Sequence, residues 1–219
     1  MKHRNRLAAL ILVAVLLAWP RVLLAAPYAP PSSDPQELHS FQGYVYFSAD
    51  DGLHGRELWR STSKGEVELV ADITPGSEGS TISDFADFGD LLLFRLDPAS
   101  GGSELWRTDG TAAGTTRITQ FDAAQGLHFD GVICVTSDGR AWFRVAADTT
   151  HLWVTDGTVE GTAPRRLSLP DGAEVSIDYS IFFHTGFLYF GGVHPTDEPG
   201  LFRYHTGDGT VEQLAHLES

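Results

Sequence analysis

The sequence predicts an all-β fold: a propeller-like array of four four-stranded blades of about 47 residues each. Two markers predict it. ELWR at 57–60 recurs as ELWR at 104–107, HLWV at 151–154 and GLFR at 200–203. Its aromatic residues, Trp59, Trp106, Trp153 and Phe202, step by 47, 47 and 49. Ahead of each stands VYF (45–47), LLF (92–94), AWF (141–143) or LYF (188–190), and Phe47, Phe94, Phe143 and Phe190 step by 47, 49 and 47. Two markers sharing one period over four copies define a repeat, with the length of a four-stranded propeller blade. After residue 34 no apolar spacing of helical period occurs.

In chain order, residues 1–26 read as a secretory signal. MKHRNR is basic, Leu7–Trp19 is an apolar run of 13, and Ala25 and Ala26 supply small residues. Thirteen residues are too few to span a bilayer; an uncleaved anchor running on to Ala29 is the other reading. Residues 27–36 (PYAPPSSDPQ) read as an extended linker. Residues 37–219 form the repeat domain, cut at about 41–90, 91–139, 140–186 and 187–219.

Within the first repeat, strands are expected near 44–48, 57–61, 67–73 and 82–88, separated by DDGLHG, TSKGE and TPGSEGS. Alternation puts Glu57 and Trp59 on one face and Leu58 and Arg60 on the other. Apolar groups on both faces imply that both are covered, as in a blade stacked between two others with its indoles buried. The fourth repeat offers strands near 188–192, 200–204 and 211–217 and no fourth. Residues 37–41 (ELHSF) precede VYF as DFADF (84–88) precedes LLF. The N-terminal strand is therefore expected to complete the last blade, closing a four-bladed ring and removing a sheet edge. An open arc, or part of a larger ring, is the alternative.

After two of the tryptophans comes one loop, TDGTAAGT (108–115) and TDGTVEGT (155–162). Asp109-Gly110 and Asp156-Gly157 suit a tight turn: Gly tolerates positive φ, and the Asp carboxylate accepts backbone N–H groups two residues on. Gly114 and Gly161 are expected to supply a second left-handed position. An anion or calcium loop is the functional reading, but the alternating acids of a calcium loop and a phosphate-cradling Gly-Lys-Ser/Thr are both missing.

These motifs resemble the ELWxxDGT repeat family of bacterial secreted proteins. ELWRTDGTAAGT (104–115) is the fullest match, and HLWVTDGTVEGT (151–162) loses only the leading Glu. The first copy keeps ELWR and a downstream VADITPG (70–76), and the fourth has GLFRYHTGDGT with Phe202 for Trp. The resemblance covers about residues 37–219. It implies a β-propeller-like array and export, and carries over no catalytic residue.

The net charge is −14, and the first 26 residues hold four of the 15 basic residues and none of the 29 acids. So acidic a remainder repels phosphate backbones, which excludes nucleic acid as a partner. The single Cys134 lies in GVICV and is expected to be a buried, inert thiol. None of the nine histidines falls in HExxH, and His54, His151 and His205 sit at different offsets from the marker aromatic. Arg60, Arg107 and Arg203 do recur, one residue after it. They read either as a carboxylate-binding row or as partners of the abundant acids. SADDG (48–52) begins like a sialidase turn but lacks the closing aromatic, and Gly-x-Ser-x-Gly is absent.

The expected function is an exported, non-catalytic binding or scaffold module that presents loops to a protein or glycan, without a cofactor. The alternatives are a secreted glycan-acting hydrolase and a calcium-dependent adhesion module.

Overall fold

The computed structural model describes residues 33–121, 128–146, 151–194, 196 and 198–216. The signal segment and most of the linker lie outside them. The described residues contain no helix. Four antiparallel sheets of four strands follow one another along the chain. The first holds β1 (Gln36–Phe41), β2 (Tyr44–Asp50), β3 (Arg56–Ser61) and β4 (Val67–Ala71). The second holds β5 (Ser80–Phe88), β6 (Leu91–Pro98), β7 (Ser103–Thr108) and β8 (Thr116–Phe121). The third holds β9 (His128–Val135), β10 (Ala141–Ala146), β11 (His151–Thr155) and β12 (Ala163–Arg166). The fourth holds β13 (Ser176–His184), β14 (Phe187–His194), β15 (Glu198–His205) and β16 (Val211–His216).

The two sequence markers turn out to be one contact. Phe47 pairs across with Trp59, Phe94 with Trp106, Phe143 with Trp153 and Phe190 with Phe202. A cross-strand pair of aromatics stabilises a sheet as a unit, so both members keep the period together.

Two expectations need correction. The strand at 80–88 opens the second sheet and does not end the first, so the cuts at 41–90, 91–139, 140–186 and 187–219 are one strand out of phase. The N-terminal strand does not complete the last blade: β1 pairs with β2 through His39↔Tyr46, Ser40↔Val45 and Phe41↔Tyr44. The last sheet has its own first strand, β13. Local chain geometry decides this. Gln42 and Gly43 join β1 to β2 with φ of 48° and 82°, the pair of positive values that a two-residue hairpin turn needs. So short a loop closes at small entropic cost.

Sheets stack in chain order around three cores. Phe41, Tyr46, Leu58 and Val70 of the first sheet meet Ile82, Leu92, Phe94 and Leu96 of the second. Leu93, Leu105 and Phe121 of the second meet Phe129, Ala141 and Phe143 of the third. Trp142 and Leu152 of the third meet Leu188, Phe190, Phe202 and Tyr204 of the fourth. Leu92, Phe94 and Leu96 point one way and Leu93 the other, so period-2 alternation covers both faces of a middle sheet. First strands lie together, β1 against β5, β5 against β9 and β9 against β13.

The marker tryptophans are not fully buried, contrary to the sequence expectation. Trp59, Trp106 and Trp153 are half-buried, while Phe94, Phe143 and Phe202 are sealed. At the marker position the indole keeps part of its surface open and turns its N–H to an acceptor: Trp106 Nε1 donates to Glu104 at 2.8 Å. Trp106→Ala is therefore expected to cost about 2–3 kcal/mol, below the range for a sealed ring. Urea denaturation checks it; a loss under about 1 kcal/mol would show that the Phe94–Trp106 stack carries little.

Candidate functional site

The turns after β7 and β11 are built identically. Asp109 Oδ1 accepts the Thr111 backbone N–H (2.9 Å) and hydroxyl (2.7 Å), and Gly110 N donates to Thr108 Oγ1 (2.9 Å). Asp156, Thr158, Gly157 and Thr155 repeat these bonds at 2.9, 2.6 and 2.9 Å. Hydrogen bonds from the threonine hydroxyl and backbone hold both aspartates below the usual carboxylate range. Gly110 and Gly157 take positive φ, 89° and 87°, but Gly114 and Gly161 do not supply the expected second left-handed position. They are glycine because a Cβ there would collide with the carboxyl of Asp109 or Asp156.

A third Asp-Gly-Thr, at 208–210, repeats the carboxylate bonds: Asp208 Oδ1 accepts Thr210 N (3.0 Å) and its hydroxyl (2.7 Å). These bonds, the backbone one foremost, with His205 beside them, lower Asp208 from 3.8 to about 2. A lowered folded pKa means stability present above about 3.8 and lost as pH falls through about 2. A carboxyl-carbon NMR titration should place the Asp208 midpoint near 2; a midpoint at the ordinary value would contradict the turn geometry.

The other residues singled out do not converge. Arg60 pairs with Glu68 (2.6 Å) and Arg203 with Glu212 (2.7 Å), while Arg107 donates to the Gly157 carbonyl (2.6 Å) and Thr116 (3.1 Å). They clasp neighbouring strands and sheets instead of lining a common row. His54 bonds Asp51 (2.7 Å) and His205 bonds Asp208 (2.9 Å). No group of three or more His, Cys, Asp or Glu that could hold a metal occurs among the described residues. Cys134 is half-buried against the third core, and burial pushes its thiol pKa up.

What the fold does build is a cleft between the first and second sheets, of roughly 420 Å³, at the ends of β2, β3 and β6. Asp50, Glu78 and Asp97 give it carboxylates and Arg56 a guanidinium, with Gly79 and Ala99 in the wall. A second hollow of roughly 510 Å³, walled by Thr74, Pro75 and Gly76, shares Glu78, Gly79 and Ala99 with it. The floor is rigid for two reasons. Glu57, the fully buried first residue of ELWR, accepts Ile73 N (2.8 Å), Thr74 N (2.9 Å) and Thr74 Oγ1 (2.6 Å). Thr74 bonds in turn to Ser80 (2.8 Å), so the loop between the sheets is pinned at both ends. Burial raises the Glu57 pKa despite these donors, so its stabilising effect is present at low pH and lost as pH rises through the folded pKa. The backbone of Gly79 also presses on the chain entering β3: a Cβ on Gly55, the residue before that strand, would stand 2.5 Å from Gly79 N. Arg56 is oriented by Asp34 Oδ2 (3.0 Å) and the Ser48 carbonyl (3.3 Å).

Sequence reasoning missed this cleft. One signal was present: Asp50 and Asp97 stand one 47-residue period apart at equivalent strand ends. Arg56 and Glu78 have no such marker.

No family model matches the chain, and no curated protein matches it in sequence. Its fold is similar to part of a puromycin-hydrolyzing peptidase of Mycobacterium tuberculosis, at TM-score 0.56 and 14% identity over 84% of this chain. A prolyl endopeptidase matches at TM-score 0.54 and 12% identity over 80% of this chain. The chain spans 29% and 25% of those two proteins, so the likeness concerns the fold of one portion of each. An endo-arabinase of Bacteroides thetaiotaomicron matches over 86% of this chain and 81% of its own, but at TM-score 0.39. The class defined here is an all-β, propeller-like stack of four-stranded sheets.

Proposed function

We propose that the chain is an exported, non-catalytic binding module that holds a polar segment of a glycan or protein in the cleft between its first two sheets. One observation carries this reading: an open cleft lined by Asp50, Arg56, Glu78 and Asp97 stands on a floor pinned by Glu57 and by the Gly55–Gly79 contact. A preorganised floor lowers the entropic cost of capturing a ligand. The acidic rim disfavours polyanions and suits neutral sugars or cationic peptide. Export rests on the basic and apolar N-terminal segment and on the ELWxxDGT resemblance.

The test is amide shift mapping of the full chain against neutral oligosaccharides and short cationic peptides. Saturable shifts at Gly79, Ser80, Thr81 and Ala99, abolished by Arg56→Ala, are expected from one of the two classes. Shifts confined elsewhere, or none from either class, would contradict the placement. New reducing ends or cleaved peptide in the same samples would contradict a non-catalytic role and favour the hydrolase alternative. Calcium raising the melting temperature where magnesium does not would instead favour the adhesion alternative.

A further inference from the structure

Equivalent positions that are sealed in three sheets are open in the fourth. The leucine before the marker aromatic is 0% exposed at Leu58, Leu105 and Leu152, and 37% exposed at Leu201. In the first three sheets that face rests on the next sheet. In the fourth, Leu201 shares its face with Arg203, and the cross-strand partner of Arg203 is Tyr189. Phe182, paired with Tyr189 from β13, is 64% exposed on the same side. The stack ends on an apolar surface of the kind that is covered everywhere else in it.

That surface carries a specific seat. On the first sheet, Arg60 lies between its cross-strand partners Tyr46 and Glu68, with its guanidinium 4.4 Å over the Tyr44 ring. The Asp-Gly-Thr turn of the second sheet sits there. A Cβ on Gly110 would collide with the Arg60 guanidinium and stand 2.6 Å from the Tyr46 hydroxyl. On the fourth sheet, Arg203 lies between Tyr189 and Glu212, with its guanidinium 4.4 Å over the Phe187 ring. The seats match position for position, with Phe187 in place of Tyr44, but Tyr46 is 2% exposed under its turn and Tyr189 is only half-buried.

Arginine and turn also travel together. Arg107 on the second sheet bonds the Gly157 carbonyl of the third sheet's turn at 2.6 Å. The third sheet has Val154 at that position. There the fourth sheet brings no such turn but Tyr204, packed 5.2 Å from the Trp142 ring. An arginine at this position marks a face that receives an Asp-Gly-Thr turn.

The geometry points to the outer face of the fourth sheet as a docking site for the Asp-Gly-Thr turn of another polypeptide built from the same repeat. The turns at 109–111 and 156–158 are already seated on neighbouring sheets, and the one at 208–210 belongs to the fourth sheet itself, so the occupant is a further turn of this kind. This surface is separate from the cleft and independent of what the cleft binds.

A cyclised Thr-Asp-Gly-Thr-Ala-Ala-Gly-Thr octapeptide titrated into the isotopically labelled full chain tests it. Shifts are expected at Arg203 Nε–H and at the Tyr189 and Leu201 amides, with a Kd of roughly 1 mM for so small an epitope. Arg203→Ala should abolish them. A peptide with its first Gly replaced by Ala should bind at least about tenfold more weakly, since its methyl would meet the guanidinium. Absence of shifts at several times that concentration, or equal shifts from the alanine peptide, would overturn the proposal. So would contacts in the free chain between Leu201 or Arg203 and the first sheet, which would mean that the chain covers this face itself.

Discussion

Replacing Phe143 by alanine is expected to remove about 4 kcal/mol of stability. The ring is fully sealed between the second and third sheets. It stacks on Phe129 at 5.0 Å and Trp153 at 6.3 Å, and meets the edge of Phe121 at 6.2 Å. Phe121 and Phe129 are themselves buried in the same core, which limits collapse into the void, so both the transfer and the cavity contributions apply. Domains of this size have about 5–15 kcal/mol in total, so the variant should melt far earlier than the parent. Urea denaturation with an unchanged slope would give the number directly. A loss below about 1 kcal/mol would show that the two sheets are not packed through this ring.

Gly79→Ala is expected to be nearly as damaging, for a backbone reason. Gly79 has φ +64°, and an added Cβ would collide with the backbone nitrogen of Arg56 and lie 3.1 Å from its Cα. Neither atom belongs to a flexible side chain, so the loop or the start of β3 must move. The left-handed conformation costs roughly 1 kcal/mol for a non-glycine residue, and the displacement adds about 1–3 kcal/mol. Gly43→Ala is the internal control: its φ is +82° but nothing lies within 4 Å, so only the conformational part applies. Equal losses for the two variants would mean that Gly79 does not press on β3 and that the cleft floor is not rigid.

Much of this architecture was legible in the sequence because aromatic cross-strand partners are bulky, few and periodic. Phe94 and Trp106 declare both the strands and their pairing. Sheet phase was harder to read, because a repeat has no natural beginning. DFADF and ELHSF were recognisable as equivalents, but whether each closes one sheet or opens the next depends on the link that follows. Gln42-Gly43, Gly89-Asp90 and Thr185-Gly186 are two-residue links with positive φ at Gln42, Gly43, Gly89, Thr185 and Gly186. Two-residue spacing was the available signal, muted because Gln-Gly and Thr-Gly are weaker hairpin formers than Asn-Gly. Indole exposure was not legible, since alternation tells which face a residue takes and not how far its ring reaches past its neighbours. The cleft was hidden for another reason. Its carboxylates and Arg56 come from strand ends and a loop that only the stacking of two sheets brings together.

The account stands on each sheet being one contiguous run of hairpins, stacked in chain order. A NOESY spectrum of the full chain tests this most directly through β1. Cross-strand contacts of His39 with Tyr46 and of Ser40 with Val45 are expected, together with side-chain contacts between His39 and Asp87 of the second sheet, which bond at 2.6 Å. Contacts from Ser40 to residues 211–216 in place of Val45 would put the first strand in the last sheet and contradict it.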